Sequence, residues 1–174
     1  IQKFKKMNIK QRHFIKKSTI RDLKEDVQQH YNEDFVKNVF PEDARVEWIK
    51  TEEDDELYAI NNELRLWKSK DGYIPVLTLL LDNRVGLKSV HVDDGAIKFV
   101  TNGADIMRPG VTKIDNEIKQ GDIIRIAAEK KDRTLAVGKA LYDAEKMEKQ
   151  KSGKIIKNLH TINDSVWEFE KEFH

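Results

Sequence analysis

The chain has 174 residues, with Lys and Arg at 32 against Asp and Glu at 31, a net charge of +1, and no cysteine. That length suits one medium domain or two small ones, and the missing cysteine excludes disulfides, thiolate nucleophiles, zinc knuckles and iron–sulfur ligation. The near-neutral total excludes a global pull on nucleic acid, but the signs are uneven: Lys3, Lys5, Lys6, Lys10, Arg12, Lys16, Lys17, Arg21 and Lys24 face Asp22 alone, whereas residues 51–56, "TEEDDE", are acidic. A local basic face binds phosphate even in a neutral chain; against that, a basic segment of this kind is as readily a solvated strand or tail. The longest apolar run, "YIPVLTLLL", is too short to span a membrane, and the first residues lack the apolar core of a signal peptide. A soluble, cytoplasmic protein is the expectation. The histidines at 13, 30, 91, 160 and 174 fall at no metal-ligand spacing, so neither metal nor cofactor is expected.

In chain order, Ile20, Leu23, Val27 and Tyr31, then Val36, Val39 and Phe40, recur at spacings of three and four. That predicts an amphipathic helix broken near Asn32, with Ser18 or Thr19 as its cap and Pro41 at its end. "ELYAI" and "ELRLW" flank Asn61-Asn62, a pair that tolerates the positive φ of a tight hairpin. A turn at Asp71-Gly72 and the apolar "IPVLTLLLD" close this first half, which reads as α+β. "TEEDDE" lacks the spacing of a calcium loop and reads as a solvated turn rather than a cation site.

Near Leu87 the pattern changes. "KSVHV" alternates as a strand, Asp94 caps a two-turn helix to Asn102, and Gly103 ends it in the left-handed conformation. Pro109-Gly110 suits a type II turn. "DIIRIAAE" and "TLAVGKAL" are strands around the charged turn "KKDR". Asp143 caps a short polar helix, and "GKIIKNLHTI" and "SVWEFEKEF" are strands around Asn163-Asp164. Many short strands with few helices predict a small mixed barrel, so the division falls at 1–86 and 87–174.

Nucleophile elbow, P-loop and dinucleotide fingerprint are all missing, and no acid pair is marked out as buried. The chain is expected not to be an enzyme. What stands out is "GAIKFVTNGADIMRPGV", residues 95–111, a short apolar helix bracketed by glycines and followed at once by Arg-Pro-Gly. Gly95 and Gly103 carry no Cβ, so a sugar-phosphate backbone can approach the main chain, whose amides donate to phosphate. Lys98 and Arg108 would add charge. Met107 packs on a base or faces the core. Ile97, Phe99 and Val100 are core residues or a stacking platform, and core is the commoner role for such side chains.

"VDDGAIKFVTNGADIMRPGV" resembles the opening of the PUA domain, an RNA-binding module, and "GDIIRIAAE", "TLAVGKAL" and "NLHTINDSVWEF" follow in the order of its remaining strands. "GYIPVLTLLLDN" running into "VDDGAIKFV" is similar to the domain junction of the malignant-T-cell-amplified protein family, and that resemblance covers the chain from about Arg12. It implies an N-terminal α+β domain followed by a PUA β pseudo-barrel, with RNA in a groove formed by the first helix and the strand after it. The residues carried over are Gly95, Ala96, Lys98, Phe99, Asn102, Gly103, Ala104, Met107, Arg108, Pro109, Gly110 and Lys157. Lys154 and His160 border the same groove or, for His160, serve the core. The resemblance further implies a translation role on the small ribosomal subunit, with tRNA (its 3′ end) or rRNA as ligand and a partner resembling density-regulated protein. The competing readings are an accessory RNA-binding subunit for tRNA or rRNA modification, of the pseudouridine or archaeosine type, and a protein-interaction adaptor.

Overall fold

The computed structural model describes residues 5–174; Lys3, the first of the basic residues named above, lies outside them. The chain packs as two units, Lys5–Gly86 with Glu168–His174, and Leu87–Trp167. The sequence reading carried the second domain to residue 174, whereas the residues from Glu168 onward pack with the first unit.

The first unit is an antiparallel meander of β1 (Ile9–Phe14), β2 (Val46–Thr51), β3 (Glu56–Ile60), β4 (Glu63–Ser69) and β5 (Gly72–Pro75), in that spatial order. Asn61 and Asn62 make the β3–β4 turn at φ 53 and 66, as their pairing predicts. Between β1 and β2 lie α1 (Lys17–Gln28) and α2 (Glu33–Val39). The break between them falls where the spacing puts it, because the Asn32 side chain accepts from the Phe35 N–H at 2.8 Å and starts a new helix. The cap of α1 is Lys16, not Ser18 or Thr19: the Ile20 N–H already closes the first turn on the Lys16 carbonyl at 3.0 Å, which leaves both hydroxyls inside the helix. Two side chains tie α2 and the link before it to the sheet. Arg65 of β4 donates to the Val39 carbonyl at 2.7 Å, and the Tyr31 hydroxyl donates to the Tyr73 carbonyl. Burial pushes the Tyr31 pKa up, so that group stays a donor. The short α3 (Leu77–Leu81) ends the half.

The second unit is a nearly closed, barrel-like mixed sheet. Its strands are β6 (Ser89–Val92), β7 (Ile106–Met107), β8 (Val111–Ile114), β9 (Ile123–Ala128), β10 (Thr134–Ala140) and β11 (Lys154–Thr161), in the order β7-β11-β10-β9-β6-β8. β6 runs parallel to β9, and the other pairs are antiparallel. Apolar side chains from every strand but the exposed half of β7 fill the interior, with Val92, Ile124, Ile126, Ala136 and Ile156 fully enclosed. α4 (Asp94–Thr101) and α5 (Ala144–Lys149) complete the unit, and α6 (Ser165–Glu172) closes the chain.

Three local expectations change. The cap of α4 is Asp93, one residue early: its Oδ1 accepts from the Ala96 N–H at 3.0 Å, leaving Asp94 to complement the helix dipole from the first turn. Arg108–Gly110 is a 3-10 turn, not a type II turn. Gly110 is needed there for proximity: its carbonyl accepts from Asp93 at 2.9 Å, and a Cβ on it would stand 3.2 Å from that of Ala96. "SVWEFEKEF" is a helix, because Asp164 caps it by accepting from the Trp167 N–H at 2.8 Å.

The tightest point of the unit is Gly138 in β10. A Cβ there would meet Ile156 Cγ2 at 2.6 Å, Ile126 Cδ1 at 2.8 Å and the Lys157 carbonyl oxygen at 2.9 Å. Backbone cannot yield as a side-chain tip can. Gly138→Ala is therefore expected to destabilise the protein by about 1–3 kcal/mol, the scale of overpacking, read as a lower urea midpoint at unchanged slope.

Candidate nucleic-acid interface

α4 and the segment after it leave an open cavity of about 520 Å³ between them. Of the residues singled out in the sequence, Gly95, Ala96, Phe99, Ala104, Met107, Pro109 and Gly110 line it, together with Asp93, Asp105 and the inner wall of Val92, Val100 and Ile106. Its surface is almost wholly apolar. The spacing explains the placement. One face of α4 sends Val100 into the core and lays Ala96 and Ile97 against it. Phe99 is left on the open side, 58% exposed, with the Lys98 ammonium 5.1 Å from its ring centroid. Met107 stands half-exposed in β7. A rim of two large uncovered apolar side chains over an apolar cavity is the informative kind of exposure. The floor at Gly95 is open because nothing fills it: a Cβ there would meet only Asp93 Oδ1, at an ordinary 3.5 Å.

The other singled-out residues do different work. Asn102 and Gly103 terminate α4. Gly103, at φ 92, donates to Val100 at 2.9 Å while Ala104 donates to Phe99 at 3.0 Å, the paired bonds of a Schellman cap. Arg108 turns away from the cavity. Its Nε donates to the Met147 carbonyl at 2.8 Å and its Nη1 to the Val111 carbonyl at 3.1 Å, so the guanidinium that sequence reasoning assigned to phosphate fastens the 3-10 turn to α5 and β8. Lys157 lies half-buried in β11, opposite Lys139 of β10. His160 serves the core: it is buried, and its Nδ1 pairs with Asp164 at 2.7 Å.

Sequence reasoning missed Asn158 and Asp105. The Asn158 amide donates to the carbonyls of Val100 at 3.0 Å and Ala104 at 2.9 Å, and its backbone N–H donates to Asp105 Oδ1 at 2.9 Å. Asp105 Oδ2 also pairs with Lys154 at 2.8 Å. Burial pushes the Asp105 carboxyl up, but the hydrogen bonds from Lys154 and Asn158 and the charges of Lys154 and Lys157 outweigh it, so its pKa lies below the usual range. The available signal was a lone amide inside the apolar run "KIIKNLHTI". Among the described residues no cluster of His, Asp and Glu could hold a metal ion, and no helix is long and apolar enough to cross a membrane.

Two predictions follow from these contacts. Arg108→Ala leaves two part-buried carbonyls without their charged donor and is expected to cost about 1.5–3 kcal/mol of stability, measured by denaturant unfolding. Asp105 favours its charged form when folded, so it adds stability above its unfolded pKa, near 4, and that stability is lost as pH falls through its lower folded value. Asp105→Asn is expected to flatten the fall of the melting temperature between about pH 5 and pH 3.

Comparison with known proteins agrees with this architecture. The Pre-PUA-like domain model matches residues 4–83 and the PUA domain model residues 88–162. Translation machinery-associated protein 20 of Saccharomyces cerevisiae is 32% identical over 98% of this chain and 99% of its own length. Malignant T-cell-amplified sequence 1 of Rattus norvegicus is 33% identical over 88% of this chain and 87% of its own. The crystal structure of a hypothetical protein from Pyrococcus horikoshii superposes with a TM-score of 0.79 at 27% identity, over 92% of this chain and 99% of that one. With a pre-PUA domain ahead of a PUA domain and likeness running through both, the chain belongs to the family of the malignant T-cell-amplified and translation machinery-associated proteins.

Proposed function

We propose that this chain is a non-catalytic RNA-binding protein of the translation machinery. In this reading the chain divides at residue 86 into two domains, 1–86 and 87–174 in sequence, with the residues from Glu168 onward packing with the first, and the cavity beside α4 receives an unpaired RNA end. The observation that carries it is the open apolar cavity, floored by Gly95, Ala96 and Gly110 and rimmed by exposed Phe99 and Met107. Such a site has faces for stacking and main chain close to the surface, but little fixed charge. That suits splayed-out bases rather than a duplex, whose base faces are hidden. The names of the relatives support the setting in translation. The 3′ end of tRNA is the favoured ligand, with small-subunit rRNA as the neighbouring one. A cytoplasmic location and a partner resembling density-regulated protein belong to the same reading.

The test compares intact tRNA with tRNA trimmed of its 3′-terminal nucleotides, by filter binding to the full chain. Intact tRNA is expected to bind more tightly, and the tRNA recovered afterwards to keep its nucleoside composition. Phe99→Ala is expected to remove about 1–3 kcal/mol of that affinity, the scale of one stacked base, with the melting temperature held because the ring is mostly exposed. Equal binding of both tRNAs would remove the acceptor end from the reading, and unchanged affinity of Phe99→Ala would remove the cavity.

A further inference from the structure

The first unit has an opening of its own, about 920 Å³, between the first turns of α1 and the residues entering β2. Its lining carries Lys16, Lys17, Arg21, Lys24 and Arg45 against Asp43 alone. Three observations separate it from an ordinary solvated face. Some cations elsewhere in this protein pair with acids, as Arg12 does with Glu47, Lys88 with Asp122 and Arg125 with Asp132, and others among the described residues do not, so the first mark of this groove is that five cations gather around one opening. Among the described residues, none of the cations lining this groove reaches a carboxylate. Secondly, α1 begins with no side-chain cap and no acid in its first turn. The positive end of its dipole therefore adds to the field of Lys16 and Lys17 instead of being offset. Thirdly, Phe14 at the end of β1 is 48% exposed, and the Arg45 guanidinium stands 4.3 Å from its ring centroid.

Lys17, Arg21 and Lys24 follow one another at spacings of four and three, on one face of α1. Like charges so placed repel, and the fold tolerates a repulsion that an anion would relieve. A row of cations asks for a row of negative charges. The ring beside the row has the Arg45 guanidinium over it yet stays 48% exposed, and its open part offers a surface for something planar and unpaired to stack on, which inorganic phosphate is not. A duplex offers the charges but nothing to stack, since its base faces are covered.

We infer that this groove binds single-stranded RNA, with the phosphodiester backbone along Lys17, Arg21 and Lys24 and a base on the ring of Phe14. The site is independent of the cavity beside α4, and neither needs the other to be correct.

The experiment titrates the full chain with a fluorescein-labelled twelve-nucleotide oligouridine, by anisotropy at several salt concentrations. It is done in the Phe99→Ala/Met107→Ala background, which silences stacking at the other cavity. Binding is expected to persist there. Lys17→Gln/Arg21→Gln is expected to weaken it about tenfold at moderate salt and to reduce the magnitude of the salt slope by about 1.4, the release of two cations' worth of counterions from a single strand. Phe14→Ala is expected to weaken binding at least about fivefold with the slope unchanged. Lys17, Arg21 and Phe14 are all exposed, so circular dichroism is expected to show every variant folded. No binding in the double-alanine background, or unchanged affinity in Lys17→Gln/Arg21→Gln, overturns the site. So does an unaffected Phe14→Ala, and so does poly-glutamate competing as well as oligouridine at equal charge, which would assign the groove to an acidic protein segment.

Discussion

The last turn of α4 is closed by the Gly103 and Ala104 N–H groups, and Asn158 ties that closed end to β11. Its one amide nitrogen serves Val100 and Ala104, on either side of the Gly103 cap, while its backbone N–H is taken by Asp105. These bonds pin the exit of the helix to β11. The chain must then leave along the sheet edge as β7, which pairs with β11 at Ile106 and Met107. α4 and β7 are thereby held at a fixed spread. Apolar walls that could otherwise move together to exclude water, the usual fate of such surfaces, stay apart and leave a cavity. The lone amide is polar because its task is to hold two backbones, and it is half-buried for the same reason.

The far end of the cavity is fixed by different means. Arg108 is bonded through its side chain to Met147 and Val111, and through its backbone N–H to Gly153 at 2.8 Å. The turn it anchors presses Gly110 against Ala96, a contact that any larger residue would widen. Fixing the turn therefore consumes the most conspicuous charge of the motif. What remains at the opening is mostly a ring, a thioether and a proline, with Asp93 and Asp105 tied up in hydrogen bonds of the fold. In the proposed reading, recognition there works by shape and stacking, with a salt dependence shallow compared with a site that neutralises phosphates.

The elements were legible where one local signal fixed them. The Asn61-Asn62 turn and the glycine cap at 103 rest on backbone that tolerates positive φ, and the break at Asn32 on a side chain that caps a helix. The apolar motif also gathers in space, since most of its members line one cavity. Roles that depend on distant partners were not legible. Arg108 next to Pro-Gly looks like a presented charge, and only the fold brings the carbonyls of α5 and β8 to it. "SVWEFEKEF" alternates well enough to pass for a strand, yet Val166, Phe169 and Phe173 also stand three and four apart. The Asp164 cap decides between the two periods. Phe99 has the composition of a core residue and is exposed because Ile97 and Val100 occupy the inward face first.

Net charge acquires a different meaning once the unpaired cations are located. The total is +1, and the lining of the α1 groove alone carries a larger positive excess. The remainder of the chain is therefore net negative. If the groove binds RNA as inferred, its local positive excess steers a polyanion toward it more than the net charge of the chain suggests. A uniformly basic protein would hold any RNA at any point on its surface. Here some of the other cations are neutralised by Glu47, Asp122 and Asp132, which leaves the groove as a local concentration of positive charge. The cavity of the other unit has an almost wholly apolar lining, so in the proposed reading its ligand is held by stacking rather than by charge.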